Sequence, residues 1–160
     1  MIRVLGIDPG IAATGWGVIE VDGSKFKSIN YGFIKTLPGD APGKRLMIIY
    51  NTIRDIIGQY KPDKASVEDI FFAKNKRSAI PVAQAKGVIL LAFESKNLDT
   101  FIFTPLQIKQ ALTGNGRADK NQVQEMVKLI LGLKETIKPD HASDALAAAI
   151  CCHNNSGIGA

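Results

Sequence analysis

The sequence predicts an α/β fold, with a mixed five-stranded sheet and helices on both of its faces. Three strand-like segments come first, and helix-like and strand-like segments then follow one another to the end of the chain, an order typical of such sheets. A length of 160 residues and a hydrophobic content of 46% suit one globular domain spanning residues 1–160. No repeat, low-complexity tract or long linker divides the sequence.

The first three elements are predicted strands at residues 2–8, 14–22 and 26–36. Each is rich in Val, Ile or aromatic residues, and turn-forming residues at Pro9-Gly10 and Asp22-Gly23-Ser24 separate them. We therefore expect three antiparallel strands joined by hairpins.

The hydrophobic pattern then takes the period of a helix. Between Lys44 and Tyr60, aliphatic residues recur every three or four positions, and Lys61-Pro62-Asp63 ends the run. Residues 64–71 form the next predicted strand, and residues 79–95 the next helix. Pro81 is tolerable in that helix only within its first turn.

The remaining predicted elements are a strand at residues 99–104 and helices at 106–112, 120–131 and 140–153, with Asp119 as a suitable N-cap for the second of these helices. The strands at 2–8 and 64–71 are expected to lie side by side in the sheet.

Acidic residues lie near the C-terminal ends of these two strands. Ligand sites in open α/β sheets lie beyond such ends, so we expect Asp8 and Glu68 to converge. A Glu at position 68 also contradicts the strand propensity of its neighbours. Two alternatives remain: an Asp before Pro-Gly is a common turn former, and Asp69 competes with Glu68 because alternation directs only one of them toward a given face.

The last predicted helix adds His141 and Asp144. Their spacing of three residues puts them on one helix face, and Pro139 and Asp140 are helix-start residues that put this face in the first turn. We expect both side chains to point toward the sheet, and the positive end of the helix dipole to favour ionised Asp144. Alternatively, Asp140 caps the helix while His141 and Asp144 are solvated surface groups.

A shared divalent metal ion would explain these residues together. Asp8, Glu68 and Asp144 lie in apolar stretches, where an unpaired buried charge costs on the order of several kcal/mol. Oxygen ligands suit Mg²⁺ or Mn²⁺, and His141 is either a softer ligand or a proton carrier.

Composition favours an anionic partner and gives no membrane segment. The net charge of +5 and the pI near 9.3 suit nucleic acid binding. No apolar run approaches the roughly 20 residues of a membrane span, and the N-terminus lacks the form of a signal peptide, so a cytoplasmic protein with no membrane partner is expected. Cys151 and Cys152 are expected to be buried, reduced thiols, since a zinc site with His153 lacks spaced ligand pairs.

Several motifs together resemble the bacterial RuvC-type Holliday junction resolvases. The resemblance runs nearly end to end and rests on Gly6-Ile7-Asp8-Pro9-Gly10 with Thr14-Gly15-Trp16-Gly17-Val18, Val67-Glu68-Asp69-Ile70-Phe71, Ala73-Lys74-Asn75, Gln84-Ala85-Lys86-Gly87 and Asp140-His141-Ala142-Ser143-Asp144-Ala145-Leu146-Ala147.

This resemblance implies an RNase H-like fold and a homodimer that resolves four-way DNA junctions in recombination and repair. The implied reaction is symmetric nicking of two strands, leaving 5′-phosphate and 3′-hydroxyl ends, with two Mg²⁺ ions per subunit, for which Mn²⁺ can substitute. A branch-migration complex of RuvA and RuvB type is an implied partner. The implied catalytic and metal-binding residues are Asp8, Glu68, Asp144 and His141, the last at a position that is Asp in some members and His in others.

DNA binding is expected from a second set of residues. Basic residues follow Phe71-Phe72 or surround the loop Gly114-Asn115-Gly116, and they are Lys74, Lys76, Arg77, Lys109, Arg117 and Lys120. By resemblance, Phe71 is a base-stacking aromatic and Lys109 and Lys120 lie near the active site, whereas Phe72 is expected in the core. Lys74, Lys76, Arg77 and Arg117 have the alternative of being solvated surface charges.

The helix at residues 79–95 has two possible roles. Its apolar residues Val82, Ala85, Val88, Ile89, Ala92 and Phe93 face either a dimer interface or the core. A two-fold dimer is expected because symmetric cuts need two active sites.

Three other functions share some of these features. The first strand and hairpin also resemble actin-like ATPases and sugar kinases, but 160 residues are too few for the second lobe that encloses a nucleotide. A related RNase H-like family acts in ribosomal RNA maturation, and a non-catalytic DNA-binding protein is the third alternative. Metal-dependent nicking of a junction, with no cleavage of structured RNA, distinguishes a resolvase from all three.

Overall fold

The computed structural model describes residues 1–69 and 76–156, without the side chains of residues 76–78. Phe71, Phe72 and Lys74 therefore lie outside the described residues, as do the side chains of Lys76 and Arg77.

Five strands form one mixed sheet, which confirms the predicted fold class. They are β1 (Ile2–Asp8), β2 (Ala13–Asp22), β3 (Lys25–Lys35), β4 (Lys64–Glu68) and β5 (Asp99–Phe103), in the spatial order β3-β2-β1-β4-β5. β1, β2 and β3 pair antiparallel, whereas β4 lies parallel to β1 and β5 parallel to β4. β4 ends at Glu68, and the amide of Asp69 donates to the carbonyl of Phe103 at 2.7 Å. Residues 70 and 71 of the predicted strand lie outside the described residues.

Helices cover both faces of this sheet. They are α1 (Pro42–Tyr60), α2 (Lys76–Glu94), α3 (Pro105–Thr113), α4 (Lys120–Ile130) and α5 (Asp140–Ser156). α1 and α2 pack on one face over Leu5, Ile7 and Val67, while α3, α4 and α5 pack on the other over Val4 and Ile19. Alternation along each strand thus supplies two separate cores. None of the helices within the described residues is long and apolar enough to cross a membrane.

Helix α2 differs from its prediction at its start. The helix begins at Lys76, so Pro81 is its sixth residue and lies in its interior. The expectation that Pro81 occupies the first turn is therefore wrong, and the missing N–H of Pro81 leaves the helix without the hydrogen bond to residue 77. Ala85, Ile89, Ala92 and Phe93 are fully buried in the core, in agreement with the core-facing alternative.

Helix α4 begins where the sequence predicts. The side chain of Asp119 accepts from the amide of Gln122, and the Gln122 side chain accepts from the Asp119 amide, each at 2.8 Å. This reciprocal capping box satisfies amide groups at the helix N-terminus, and it makes Lys120 the first helical residue.

Helix α5 lies unusually close to the sheet because glycines form the surface beneath it. A Cβ atom added to Gly6 would lie 1.9 Å from the Ala145 carbonyl oxygen, and one added to Gly15 would lie 1.9 Å from that of His141. At Gly17 the nearest atom would be Cγ of Leu146, at 2.5 Å. Any side chain at these three positions would push α5 away from β1 and β2.

The two cysteines lie in the buried part of α5. Cys151 and Cys152 are fully buried and free, as predicted, and burial raises the pKa of their thiols to about 11 and about 12. Such thiols are protonated at neutral pH and chemically inert.

Candidate active site

Asp8 and Glu68 meet at the C-terminal ends of neighbouring parallel strands. The register pairs Ile7 with Val67, so the next residue on each strand, Asp8 or Glu68, lies beside the other. The two carboxyl groups are close enough for Asp8 to raise the pKa of Glu68. Asp69 instead forms an ion pair with Lys86 of α2. The structure therefore brings Glu68, and not Asp69, to Asp8.

Helix α5 adds His141 and Asp144 to this pair. The His141 ring nitrogen Nδ1 lies 3.1 Å from Oδ2 of Asp8. Asp144 is close enough for its charge to act on Glu68, and its side chain is only 26% exposed. The alternative in which both α5 residues are solvated surface groups does not describe Asp144. All four predicted side chains lie together, and the contact of α5 with Gly15 fixes the distance of His141 from the sheet.

Burial and mutual repulsion raise the pKa values of two of the acids. Burial, followed by the charge of Asp8, raises the pKa of Glu68 to about 9. The same two causes raise the pKa of Asp144 to about 6, against the lowering effect of Lys120 and His141. Desolvation and a neighbouring carboxylate therefore raise the pKa of Asp144 despite its place near the start of α5, but an acid with a pKa of about 6 is still mostly ionised at neutral pH, as expected for a metal ligand.

The contact with Asp8 favours the charged form of the His141 imidazole. It raises the pKa of His141, with a contribution from the negative charge of Asp8, although burial alone would lower that pKa. The contact of Nδ1 with Asp8 orients the ring, and Nε2 is then the nitrogen that can exchange a proton.

Lys120 provides positive charge at the same place. Its Nζ lies 3.6 Å from Oδ2 of Asp144 and 3.4 Å from Oδ2 of Asp140, and these carboxylates raise the pKa of Lys120 although burial acts to lower it. Asp140 also accepts from Lys138 at 3.1 Å, which lowers the Asp140 pKa. Asp140 is thus part of an exposed ion-pair cluster beside the acidic group.

A cavity of about 210 Å³ opens beside Glu68 and Asp144. Its walls are formed by Glu68, Pro105, Ile108, Lys109, Lys120, Val123, Asp144 and Ala147. Two carboxylates and two lysines therefore share one concave surface, which suits a phosphate group bound near the acids.

The donor atoms of this group fit a hard divalent cation. Three carboxylates and one imidazole converge, and burial together with neighbouring negative charge raises the pKa values of Glu68 and Asp144, an effect that a bound cation would oppose. Within the described ranges, no group of three or more Cys, His, Asp or Glu side chains is already arranged around a single ion. Lys120, whose Nζ lies 3.6 Å from Oδ2 of Asp144, supplies part of the positive charge that a bound cation would supply.

The predicted DNA-binding residues have different outcomes. Lys109 and Lys120 line the cavity, whereas Arg117 is exposed on the α3–α4 loop, where its amide donates to the Asn115 side chain at 2.9 Å. Phe71, Lys74 and the side chains of Lys76 and Arg77 are not among the described residues.

The prediction of the site did not include Gly6, Gly15 and Gly17. Each lies in a strand interior, where glycine weakens the strand and commonly marks a close backbone approach. Glycines inside predicted strands are therefore the sequence signal that could have indicated a helix packed closely on β1 and β2.

Comparisons with known proteins agree on one family. Residues 4–153 match the family described as crossover junction endodeoxyribonuclease RuvC. A protein of that description from Caldicellulosiruptor saccharolyticus is 51% identical over 151 residues, which cover 94% of this chain and 91% of the relative.

Solved structures of a RuvC protein have the same fold. The Thermus thermophilus RuvC structure superposes with a TM-score of 0.93 at 35% identity, and the structure of that protein in complex with a Holliday junction substrate superposes with a TM-score of 0.94 at 34% identity. Each comparison covers 99% of this chain and 97% of the other.

Proposed function

This chain belongs to the RuvC family of crossover junction endodeoxyribonucleases, and we propose that Asp8, Glu68, His141 and Asp144 form its metal-binding catalytic site. Family membership makes the chain a structure-specific endonuclease that resolves Holliday junctions, and it decides against the ribosomal RNA nuclease, the ATPase and the non-catalytic protein. The observation that carries the site assignment is the convergence of four metal-capable side chains from β1, β4 and α5 beside a cavity lined by lysines.

Two Mg²⁺ ions are the proposed cofactors, with Mn²⁺ as a substitute. Three carboxylates supply hard oxygen donors, and His141 supplies a nitrogen donor that tolerates both metals. When bound, the metal supplies an activated water and stabilises negative charge on the phosphate and on the leaving oxygen. Binding requires Glu68 to release the proton that it holds in the metal-free chain.

The residues of the chain account for the remaining parts of the reaction. Attack of the water oxygen on phosphorus breaks the bond to the 3′ oxygen, which leaves a 5′-phosphate and a 3′-hydroxyl, and one proton passes overall from water to the leaving oxygen. We assign transport of that proton to His141 as the alternative to its metal-binding role, because Asp8 holds Nδ1 and the remaining nitrogen, Nε2, either binds metal or exchanges a proton. Lys109 and Lys120, on the cavity wall, hold the phosphate in place by charge.

A homodimer is the proposed active form, because symmetric nicking of two strands needs two sites related by a two-fold axis. One exposed face of α2 supports this assignment. Ile80 and Leu91 are 66% and 59% exposed, and their separation of eleven residues puts them on the same side of the helix, about three turns apart. The proposed partners are four-way junction DNA and branch-migration proteins of RuvA and RuvB type. The proposed location is the cytoplasm, where bacterial chromosomal DNA lies.

The experiment that tests the site compares nicking by variants of single acids. A labelled four-way junction and a matched linear duplex are incubated with purified protein in Mg²⁺ or in EDTA. We expect Asp8→Asn, Glu68→Gln and Asp144→Asn each to reduce junction cleavage by more than about 100-fold, since even outer partners of metal ligands cost up to that much. Junction binding should remain close to that of the wild type.

Asp69→Asn is the matched control, because Asp69 follows Glu68 directly in the chain but pairs with Lys86. This variant should retain cleavage. Rapid cleavage by Glu68→Gln together with loss of cleavage in Asp69→Asn would show that the site is assigned to the wrong residues.

A further inference from the structure

An exposed aromatic surface on β3 lies directly beside the proposed active site. Tyr31 and Phe33 are 38% and 47% exposed, and Lys35 at the end of the strand is exposed as well. We refer to Tyr31, Phe33 and Lys35 as the β3 platform. None of the activities assigned above uses these residues.

The strand register fixes the direction in which the platform faces. Phe33 pairs with Gly15, Tyr31 with Gly17 and Lys35 with Ala13, and paired residues of adjacent strands share one face of the sheet. A Cβ atom on Gly15 would lie 2.9 Å from Cβ of His141, so the Gly15 face is the face that carries α5. Phe33 therefore lies beside Gly15, the residue that contacts His141, on the side toward the edge of the sheet. The two paired residues are about 5 Å apart across the strands.

Packing explains why the platform remains exposed. Phe26, on the same face at the other end of β3, is covered by the C-terminal part of α5 and makes an edge contact with His153 at 5.3 Å. The register shifts between Val18 and Ile19, which leaves Ile29 without a paired residue and places Tyr31 and Phe33 on the α5 face. At this end α5 rests on the glycines of β1 and β2, so the outer strand extends beyond the helix start.

One positive charge belongs to the platform. Lys35 lies at the same end of β3 as the two rings, whereas Lys25 and Lys27 lie at its other end, opposite Asp22 and Glu20. Two aromatic rings beside a lysine are a combination that binds single-stranded or distorted DNA, with the rings against base or sugar faces and the lysine against a phosphate.

We propose that the β3 platform binds the junction strand that continues from the scissile phosphate past His141. Tyr31 and Phe33 contact exposed bases or deoxyriboses, and Lys35 contacts a backbone phosphate. The platform thus holds the DNA on the side of the acidic group opposite to the Lys109 and Lys120 cavity. This inference rests on the proposed function, because the strand is located by the site at which it is cut.

Binding and cleavage are measured separately to test the platform. Binding of a fluorescent four-way junction in EDTA should weaken at least about fivefold in Tyr31→Ala and in Phe33→Ala, as expected for loss of one ring–base contact. Phe33→Trp should bind like the wild type, because it keeps an aromatic ring. Lys35→Gln should lower the slope of log affinity against log salt by about one. Leu129→Ala, at a position 67% exposed on α4, is the control and should bind normally.

Photocrosslinking provides a second readout that does not depend on the stability of the alanine variants. With p-benzoylphenylalanine in place of Phe33, we expect crosslinks to nucleotides close to the scissile phosphate. Wild-type cleavage with normal binding by both alanine variants would overturn the platform and leave the proposed function intact, as would crosslinks to a second protein chain alone. A wild-type chain that neither binds nor cuts the junction would instead overturn the proposed function, and this inference with it.

Discussion

Glu68 holds a proton at pH values at which an ordinary carboxylic acid is ionised, and this property connects the stability of the chain to its cofactor. The proton is retained because burial and the charge of Asp8 disfavour the carboxylate. A divalent cation reverses that balance, since it binds the ionised form. Protons and metal should therefore compete for the same side chains, and the competition should be visible in stability measurements without any DNA.

The first prediction concerns the pH dependence of stability in the metal-free chain. Glu68 has a folded-state pKa of about 9 against an ordinary value of 4.5, so between these values the folded state binds more protons than the unfolded state. Rising pH over this window therefore lowers the free energy of unfolding. We expect the melting temperature in EDTA to fall from pH 5.5 to pH 9, and Glu68→Gln to reduce the slope. Glu135→Gln, at an exposed position, should leave the slope unchanged.

Addition of Mg²⁺ extends the same measurement. The increase in melting temperature on adding Mg²⁺ should be larger at pH 8.5 than at pH 6, because less proton is left to displace at high pH. An increase of equal size at both pH values would contradict a metal bound through Glu68.

The second prediction distinguishes the two roles of His141. His141→Asp should retain Mg²⁺-dependent cleavage to within about tenfold, since a carboxylate is a hard oxygen ligand that suits Mg²⁺. His141→Ala should lose more than about tenfold. The rate of the wild type should change with pH near the raised pKa of His141, and this inflection should be absent from His141→Asp if the imidazole carries the proton. Wild-type rates in His141→Ala would exclude both roles.

Among the elements, the position of α5 decides whether the site is assembled at all. His141 and Asp144 reach Asp8 and Glu68 only because Gly6, Gly15 and Gly17 let the helix approach the sheet closely. Glycine weakens the interior of a strand, so these three positions lower the stability of β1 and β2 while they allow α5 to approach.

The third prediction tests the contact between α5 and the sheet. Gly15→Ala should destabilise the protein by about 1–3 kcal/mol or more, because its Cβ would meet the backbone of His141, and cleavage should fall with the displacement of α5. Denaturant unfolding and the junction assay measure the two effects. Gly58→Ala, on α1 with no atom near its added Cβ, is the matched control and should stabilise the protein by about 0.5–1 kcal/mol. Equal stability of Gly15→Ala and the wild type would show that α5 adapts freely.

Element prediction from the sequence worked where local pattern determines structure. The hydrophobic period predicted the strands and helices that the described residues form, and the Asp119 cap was confirmed because a capping box is a local arrangement. The expectation for Pro81 was wrong, because the helix begins at Lys76 and includes the proline in its interior. The raised pKa of Asp144 was not predictable from the helix start alone, because burial and the charge of Asp8 are set by tertiary packing.

The residues of the candidate site were predictable from the sequence, but the exposed surface beside the site was not. Strand ends and the i, i+3 spacing were enough to group Asp8, Glu68, His141 and Asp144. The exposure of Tyr31 and Phe33 was not predictable, because alternation gives the face of a side chain but not whether a helix covers that face. The bulge opposite Val18 and Ile19 also shifts the alternation within β3.

At the scale of the whole molecule, the proposed paired incisions require two active sites. The described residues of one chain form one such site, so the proposal requires a second copy in a fixed orientation. The exposed side of α2 is on the face of the sheet opposite to α5, which leaves the proposed DNA surface of each chain free in a dimer formed through α2.

The last prediction tests this arrangement with a charge placed on α2. Leu91→Asp should make the protein monomeric in sedimentation, because a carboxylate at an exposed apolar position is costly to bury in an interface but harmless in water. The Mg²⁺-induced rise in melting temperature should persist, since the acidic group is unchanged, while paired incisions within one junction should give way to single nicks. Leu129→Asp, at a comparably exposed leucine on α4, should remain dimeric. A Leu91→Asp protein that stays dimeric and makes normal paired incisions would show that the interface is not on this face of α2. In that case Ile80→Asp should also leave assembly unchanged.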